Sequence, residues 1–389
     1  MTLHLSAALD GAGWHPAAWR DPAARPRELF SARYWAGLAA EAERGLLDFV
    51  TFEDAFALQS SRFEGHDDRT DQVRGRLDAV LLAARLAPVT THLGLVPTTS
   101  TTHSEPFHVA VGIASLDHAS RGRAGWRPQV HGRDVDARHF GRREFPPLDP
   151  AALDWGFVST LFDEAADFAE VVRRLWDSWE DDAEIRDAAT GRFIDRDKLH
   201  YIDFVGEHFS VRGPSITPRP PQGQPLVTVL GHDVVPYELA ARSADVLYVT
   251  PHSREQAATI LGQVRDAERT VVRTGEPLKV FADVLVIFDG AERKARLDDL
   301  DGAELFSDAL IFTGSAGELA DLILDWRELG YEGFRLRPGV LPTDLAEISG
   351  KLVPELQRRG AFRTSYQETV LRERLGLPRP LSRYTGTAR

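Results

Sequence analysis

The chain has no cysteine among its 389 residues and a single methionine. Without thiols there is no disulfide, no thiolate-held metal, no iron–sulfur cluster and no cysteine nucleophile. Positive charge is also in short supply: 46 Lys and Arg face 59 Asp and Glu, a formal net charge of -13. Nucleic acid and anionic lipid both require basic footprints, so neither is expected as a partner. No apolar run approaches the roughly 20 residues that span a bilayer. The opening MTLHLSAALDGAG lacks a basic start and a long apolar core, so no secretory leader is expected. Together these absences predict a soluble cytoplasmic protein.

Familiar catalytic motifs are missing as well. There is no G-x-x-x-x-G-K-[ST] for a phosphate-cradling loop and no G-x-G-x-x-G for a dinucleotide. G-x-S-x-G, the nucleophile elbow, is absent too. The 13 histidines are scattered, with no H-E-x-x-H, so no metal site is expected.

Hydrophobic residues at 43% describe an ordinary globular core. Short β-rich runs alternate with helical patterns almost from end to end. The strand candidates are LHLSAAL from Leu3, LDFVTF from Leu47, HLGLVP from His92, RAGWRPQV from Arg123, PLVTVLG from Pro225, DVLYVT from Asp245, LKVFADVLVIF from Leu278 and GFRLRP from Gly333. Several are continuous apolar runs, as expected of parallel strands covered on both faces. Between them, SARYWAGLAAEAERG, LFDEAADFAEVVRRLWDSW and SAGELADLILDWRELG carry apolar residues at helical spacing. The last opens on a capping box, Ser315 to Glu318, and closes on Gly330. Eight strands each followed by a helix is the count for a (β/α)8 TIM barrel over a single domain, 1–389. A doubly wound open sheet remains the alternative, because alternation alone does not show closure.

Two long interruptions, about 131–161 and 182–224, both fall after the fourth strand candidate and before the fifth. In a barrel that position is the active face, where insertions shape a pocket. The stretch GLVPTTSTTHSEPFHVA is the most unusual. Five hydroxyls, Thr98 to Thr102, follow an apolar run. One or two are expected to cap the helix beginning near EPFHVA, and the rest to meet a ligand at the mouth. The acidic WEDDAEIRD reads as a solvated helix end, and TGSAGELAD as a helix start that either caps itself or receives a phosphate.

GLVPTTSTTHSEPFHVAVGIASLDHASRGRAGW resembles the signature block of the luciferase-like, flavin-dependent monooxygenases. Within that family it is similar to the branch of nitrilotriacetate, EDTA and dibenzothiophene-sulfone monooxygenases. GWHPAAWR, LWDSWEDDA, HFSVRGPSITPRPPQGQP, ELAARSADVLYVT and FRTSYQETVLRERLGLPRP extend the likeness in order along nearly the whole chain.

The resemblance implies a (β/α)8 barrel that binds reduced FMN at the C-terminal mouth of its strands. It implies FMNH2 supplied by a separate NAD(P)H-dependent flavin reductase, O2 activation as a flavin C4a-(hydro)peroxide, and oxygenation of a small organic substrate. A homodimer or homotetramer is implied likewise. By position, Asp54 matches the acid lying against the flavin ring, Ser100 the residue that hydrogen-bonds its polar edge, and Thr102 a neighbour of it. His15 stands where a family histidine lines the site, and His15, His131 and His232 are the candidate catalytic groups.

The expected phosphate end departs from the family pattern. RAGWRPQVHGRD puts Arg127 and His131 where the family has Asn and a Thr-Ser pair. Val158 and Phe162 replace a His and a Tyr, and LGHDVV puts His232 and Asp233 where AGSS stands. Either Arg127, Arg138, His131 and His232 rebuild an anion site, or the pocket is abandoned for another flavin, a deazaflavin or none. A deazaflavin-dependent hydride-transfer oxidoreductase and a barrel without turnover therefore stay open beside the monooxygenase.

Overall fold

The computed structural model describes residues 2–60, 62, 65–148, 152 and 154–385. Its centre is a ring of eight parallel strands: β1 (His4–Leu9), β2 (Phe49–Phe52), β3 (Gly94–Ser100), β4 (Gly125–Gln129), β5 (Leu226–Leu230), β6 (Val246–Val249), β7 (Lys279–Phe288) and β8 (Gly333–Pro338). Each pairs with the next, and β8 returns to β1, with His4 opposite Gly333, so the sheet closes. That settles the choice between barrel and open sheet in favour of the (β/α)8 barrel. The strand Leu310–Gly314 adds to the outer edge of β7.

The outer layer contains α1 (Ala32–Arg44), α2 (Ala79–Leu86), α3 (Pro106–Ser120), α4 (Trp155–Asp177), α5 (Val234–Ser243), α6 (Arg254–Thr270), α7 (Ala291–Asp301) and α8 (Ala316–Leu329). The capping box of α8 forms as its sequence indicates, and Gly330 ends it with φ 114°. Helix α4 starts at Trp155 rather than Leu161, because the Asp154 carboxylate accepts from Gly156 and Phe157 N–H and nucleates a turn before the apolar periodicity begins. No hydroxyl caps α3, whose N-cap is Glu105, with Pro106 at its first position. The insertion at 182–224 holds two small hairpins, Glu184–Asp187 with Arg192–Ile194 and Phe204–Val205 with Ser210–Val211. Among the described residues no helix is long and apolar enough to cross a membrane.

Inside the barrel, one end is apolar. Phe49, Val96, Leu226, Val246 and Phe281 pack there on Leu371, Leu375 and Leu377 from the C-terminal segment, which plugs the N-terminal end of the strands. Toward the other end the inward side chains turn polar: Ser6, Thr51, Thr98, Arg127, Thr228, Asp283 and Arg335 are all buried. The carboxylate of Asp283 on β7 takes two bonds from Arg335 on β8, at 2.7 and 2.5 Å, and another from Arg337 Nε at 2.9 Å. Buried charges need this pairing, since an isolated one would cost several kcal/mol.

Candidate functional site

The hydroxyl run lies along the last residues of β3 and just beyond it, in register with β4: Thr98 opposite Arg127, Thr99 opposite Pro128, Ser100 opposite Gln129. Period-two alternation sends the five side chains to both faces. Thr98 Oγ1 accepts from Arg127 Nε at 2.8 Å. Thr99 Oγ1 accepts from Trp126 Nε1 at 2.7 Å, on the helix side where Trp126 packs against Phe168 and Trp176. Thr101 Oγ1 donates to the Gln129 carbonyl at 3.3 Å, and Thr102 Oγ1 accepts from His131 N at 2.9 Å. Ser100 Oγ accepts from the N–H groups of Thr102 and His103 and lies 3.1 Å from His131 Nδ1. All five hydroxyls thus stitch β3 and its extension to β4 and the residues just after it, beside Pro97 of β3, which has no N–H to give.

On the neighbouring strand end, Glu53 pairs with Arg127, and its other oxygen is buried without a hydrogen bond, 3.6 Å from Arg335. Burial lowers the Arg127 pKa, with Glu53 opposing that shift. Asp54, next in the chain, accepts from Ala55 N at 2.8 Å and Ala79 N at 3.2 Å, tying the loop after β2 to the start of α2. Burial raises its pKa.

Across the mouth, His232 Nδ1 is 3.0 Å from Thr250 Oγ1, and its Nε2 is 3.4 Å from Asp308. Desolvation lowers the His232 pKa, while Asp308 opposes it. Burial alone would raise Asp308, but Arg337, bonded at 2.6 Å, pulls it down to about 2. The Arg337 guanidinium lies 4.6 Å over the Trp14 ring. Asp233 caps α5 with its own carboxylate, accepting from Val234 N at 2.7 Å.

The residues expected from the sequence therefore separate into groups. Ser100, Thr102 and His131 touch one another, while Arg127 on β4 bonds to Thr98, Gln129 and Glu53 instead. Asp54 adjoins them through Glu53, and His232 stands on the opposite rim. His15 lies apart from these, in the wall of a cavity beside the mouth: its Nε2 meets Asp298 at 3.1 Å and its Nδ1 accepts from Ala17 N, so both nitrogens are engaged. Phe162 packs half-buried against the core from α4. Arg138 is exposed and paired with Asp134 at 2.6 Å. The four groups expected to rebuild an anion site do not converge: Arg127 and Arg138 are each matched by a carboxylate, and His232 faces Asp308.

Sequence reasoning missed Glu53, Asp283, Asp308, Arg335 and Arg337. The signal was present in VFADVLV and FRLRP, where charges occupy inward positions of otherwise apolar strands. A cavity of about 450 Å³ opens beside the mouth between the loops after β1, β2 and β7, with Trp14, Gln59, Val73, Arg74, Leu305 and Phe306 in its wall.

For a flavin, the ring end fits. Among the described residues, Glu53 Oε1 and His131 Nε2 are buried polar atoms without a hydrogen bond, and a flavin ring carries both N–H and C=O groups to meet them. The phosphate end does not fit: the N-terminus of α5 is already taken by an acid, and a phosphate dianion beside Asp233 and Asp308 would be repelled.

The chain is similar to known proteins along most of its length. The family model described as luciferase-like monooxygenase matches residues 12–300. Component A of nitrilotriacetate monooxygenase from Aminobacter aminovorans is 31% identical, over 95% of each chain. The N-acetyl-S-(2-succino)cysteine monooxygenase of Bacillus subtilis (strain 168) is also 31% identical, over 98% of each. Among solved structures, EDTA monooxygenase from Chelativorans sp. BNC1 superposes with a TM-score of 0.81 at 24% identity, covering 97% of this chain and 99% of that one.

Proposed function

The chain belongs to the luciferase-like monooxygenase family, and from that premise we propose that it is the FMNH2-dependent oxygenase of a two-component system. What carries this reading is the end-to-end likeness to two monooxygenases, one of them a component A. A component that lacks a dinucleotide fingerprint takes its reduced flavin from elsewhere, so a separate NAD(P)H-dependent flavin reductase is the expected partner.

Reduced FMN, when bound, supplies the two electrons with which O2 is split between one oxygenated substrate and water. The chain's own part is to hold and enclose it. Ser100, Glu53, Arg127 and His131 form the polar side of the ring seat, and Asp54 fixes the loop after β2 beside it. The 450 Å³ cavity is of the size that takes a small organic substrate. Its Arg69 and Arg74 are already paired, with Asp71 and Asp301 and with Asp67. Assembly as a homodimer or homotetramer in the cytoplasm completes the reading.

The test is an anaerobic titration with photoreduced FMN, repeated with reduced riboflavin. Binding of reduced FMN supports the proposal, and no binding of either flavin overturns it. Because the phosphate finds no cradle, riboflavin is expected to bind within about tenfold of FMN, a difference of about 1.4 kcal/mol.

A further inference from the structure

His131 is held at two points by the hydroxyl run. Its backbone N–H donates to Thr102 Oγ1 at 2.9 Å, and its ring Nδ1 lies 3.1 Å from Ser100 Oγ. The Ser100 oxygen has two lone pairs and one proton to place. Both lone pairs are used, by Thr102 N at 3.2 Å and His103 N at 3.1 Å. Its proton therefore goes to His131 Nδ1, which must accept. The other oxygen near the ring, the Gln129 carbonyl, already receives the N–H and the hydroxyl of Thr101.

A neutral imidazole that accepts at Nδ1 carries its proton on Nε2. That Nε2 is buried and has no hydrogen-bond partner among the described residues. His131 is 7% exposed, with the Phe56 ring 5.3 Å away and His103 6.3 Å away. We propose that Ser100 locks His131 as the Nε2–H tautomer, making it a fixed hydrogen-bond donor to a carbonyl oxygen of the bound flavin ring.

This rests on the flavin reading above and assigns His131 a role opposite to a base. With Nε2 protonated and Nδ1 engaged, the ring has no lone pair to take a proton from a substrate. Ser100 is the positioning residue and His131 the ligand contact. The charged and titratable groups facing the ring are Asp136, which favours the imidazolium, and His103 and Arg133, which oppose it. Desolvation outweighs them all and keeps the ring neutral.

Two measurements on the full-length protein decide the matter. In the first, 15N-histidine NMR without flavin at pH 7.5 reports which ring nitrogen of His131 is protonated, assigned with His131→Gln. The Nε2–H form is expected, and Ser100→Ala is expected to convert it to a mixture of tautomers while the other histidine signals stay in place. An Nδ1–H form or an imidazolium in the wild type overturns the proposal, as does an unaltered tautomer in Ser100→Ala.

In the second, anaerobic titration with reduced FMN compares His131→Leu, which loses the donor, with His131→Gln, which keeps one. The Leu variant is expected to bind about tenfold more weakly and the Gln variant within about threefold of wild type. Equal binding by wild type and His131→Leu overturns the flavin contact. Wild-type protein that binds no reduced FMN overturns the flavin reading and the contact with it, and NMR still decides the tautomer.

Discussion

Arg127 illustrates, at the scale of one residue, how a charge survives inside a barrel. It is 4% exposed, and burial works against its positive form. Thr98, Gln129 and Glu53 surround the guanidinium with acceptors. Removing one partner of such a pair leaves an uncompensated buried charge, a larger loss than the pair's net worth. Glu53→Ala should therefore destabilise by about 3–5 kcal/mol. Glu53→Ala with Arg127→Met should cost less than the sum of the two single changes. Urea denaturation of the three variants measures this, and strict additivity would show that the pair is not coupled. None of the pairing was legible in the sequence. Glu53 and Arg127 are 74 positions apart, and only the adjacency of strand ends joins them.

At the scale of elements, the joint between β3 and β4 explains the run of hydroxyls. A parallel ladder draws on backbone N–H groups; Leu95 and Thr101 donate to the Arg123 and Gln129 carbonyls, but Pro97 between them in β3 has no N–H to give. Side-chain hydroxyls on β3 supply bonds across the same gap, to both faces of the sheet. The Thr99 contact is the one least tied to the mouth, because it serves the Trp126 indole on the helix side. Thr99→Val keeps shape and removes the acceptor, leaving a buried indole N–H unsatisfied. A loss of about 1–3 kcal/mol is expected, with flavin affinity unchanged. A variant as stable as wild type would mean that the joint does not depend on this bond. The sequence showed that these hydroxyls were unusual but not which way they faced. Their number suggested ligand contact, whereas in the structure each has a partner within the chain.

At the scale of the whole molecule, the closed barrel is bound together by acids whose charged forms are stabilised. Burial alone would raise Asp283, Asp308 and Asp245. Arg335 and Arg337 outweigh it at Asp283, Arg337 at Asp308, and Arg372 and Arg173 at Asp245. Asp308 and Asp245 are brought down to about 2. A carboxyl whose folded pKa lies below its unfolded value adds stability at pH above that unfolded value, near 3.8, and loses it as pH falls toward the folded one. Asp117 and Asp344, pushed up to about 6 by burial, act in the opposite sense between pH 6 and 4. The steep loss should therefore fall between about pH 4 and 2. Guanidinium denaturation at pH 5 and pH 3 checks it, and equal stability at the two would rule the network out as the source.

The amino-acid sequence by itself determined the strand and helix alternation, both ends of α8 and the family. These rest on local rules: apolar periodicity, capping residues, and motif blocks read in order. It also marked Arg127, His131, Val158, Phe162, His232 and Asp233 as the places where the pattern departs. Closure of the sheet was decided only by the tertiary structure, because it depends on β8 meeting β1, whose register joins residues more than 300 positions apart. So was the fate of each polar group. Whether a histidine keeps a nitrogen without a hydrogen bond among the described residues, as His131 does at Nε2, or is engaged at both, as at His15, depends on which groups converge on it. Hydrogen bonds and desolvation act through distances in space, which the order of residues does not contain.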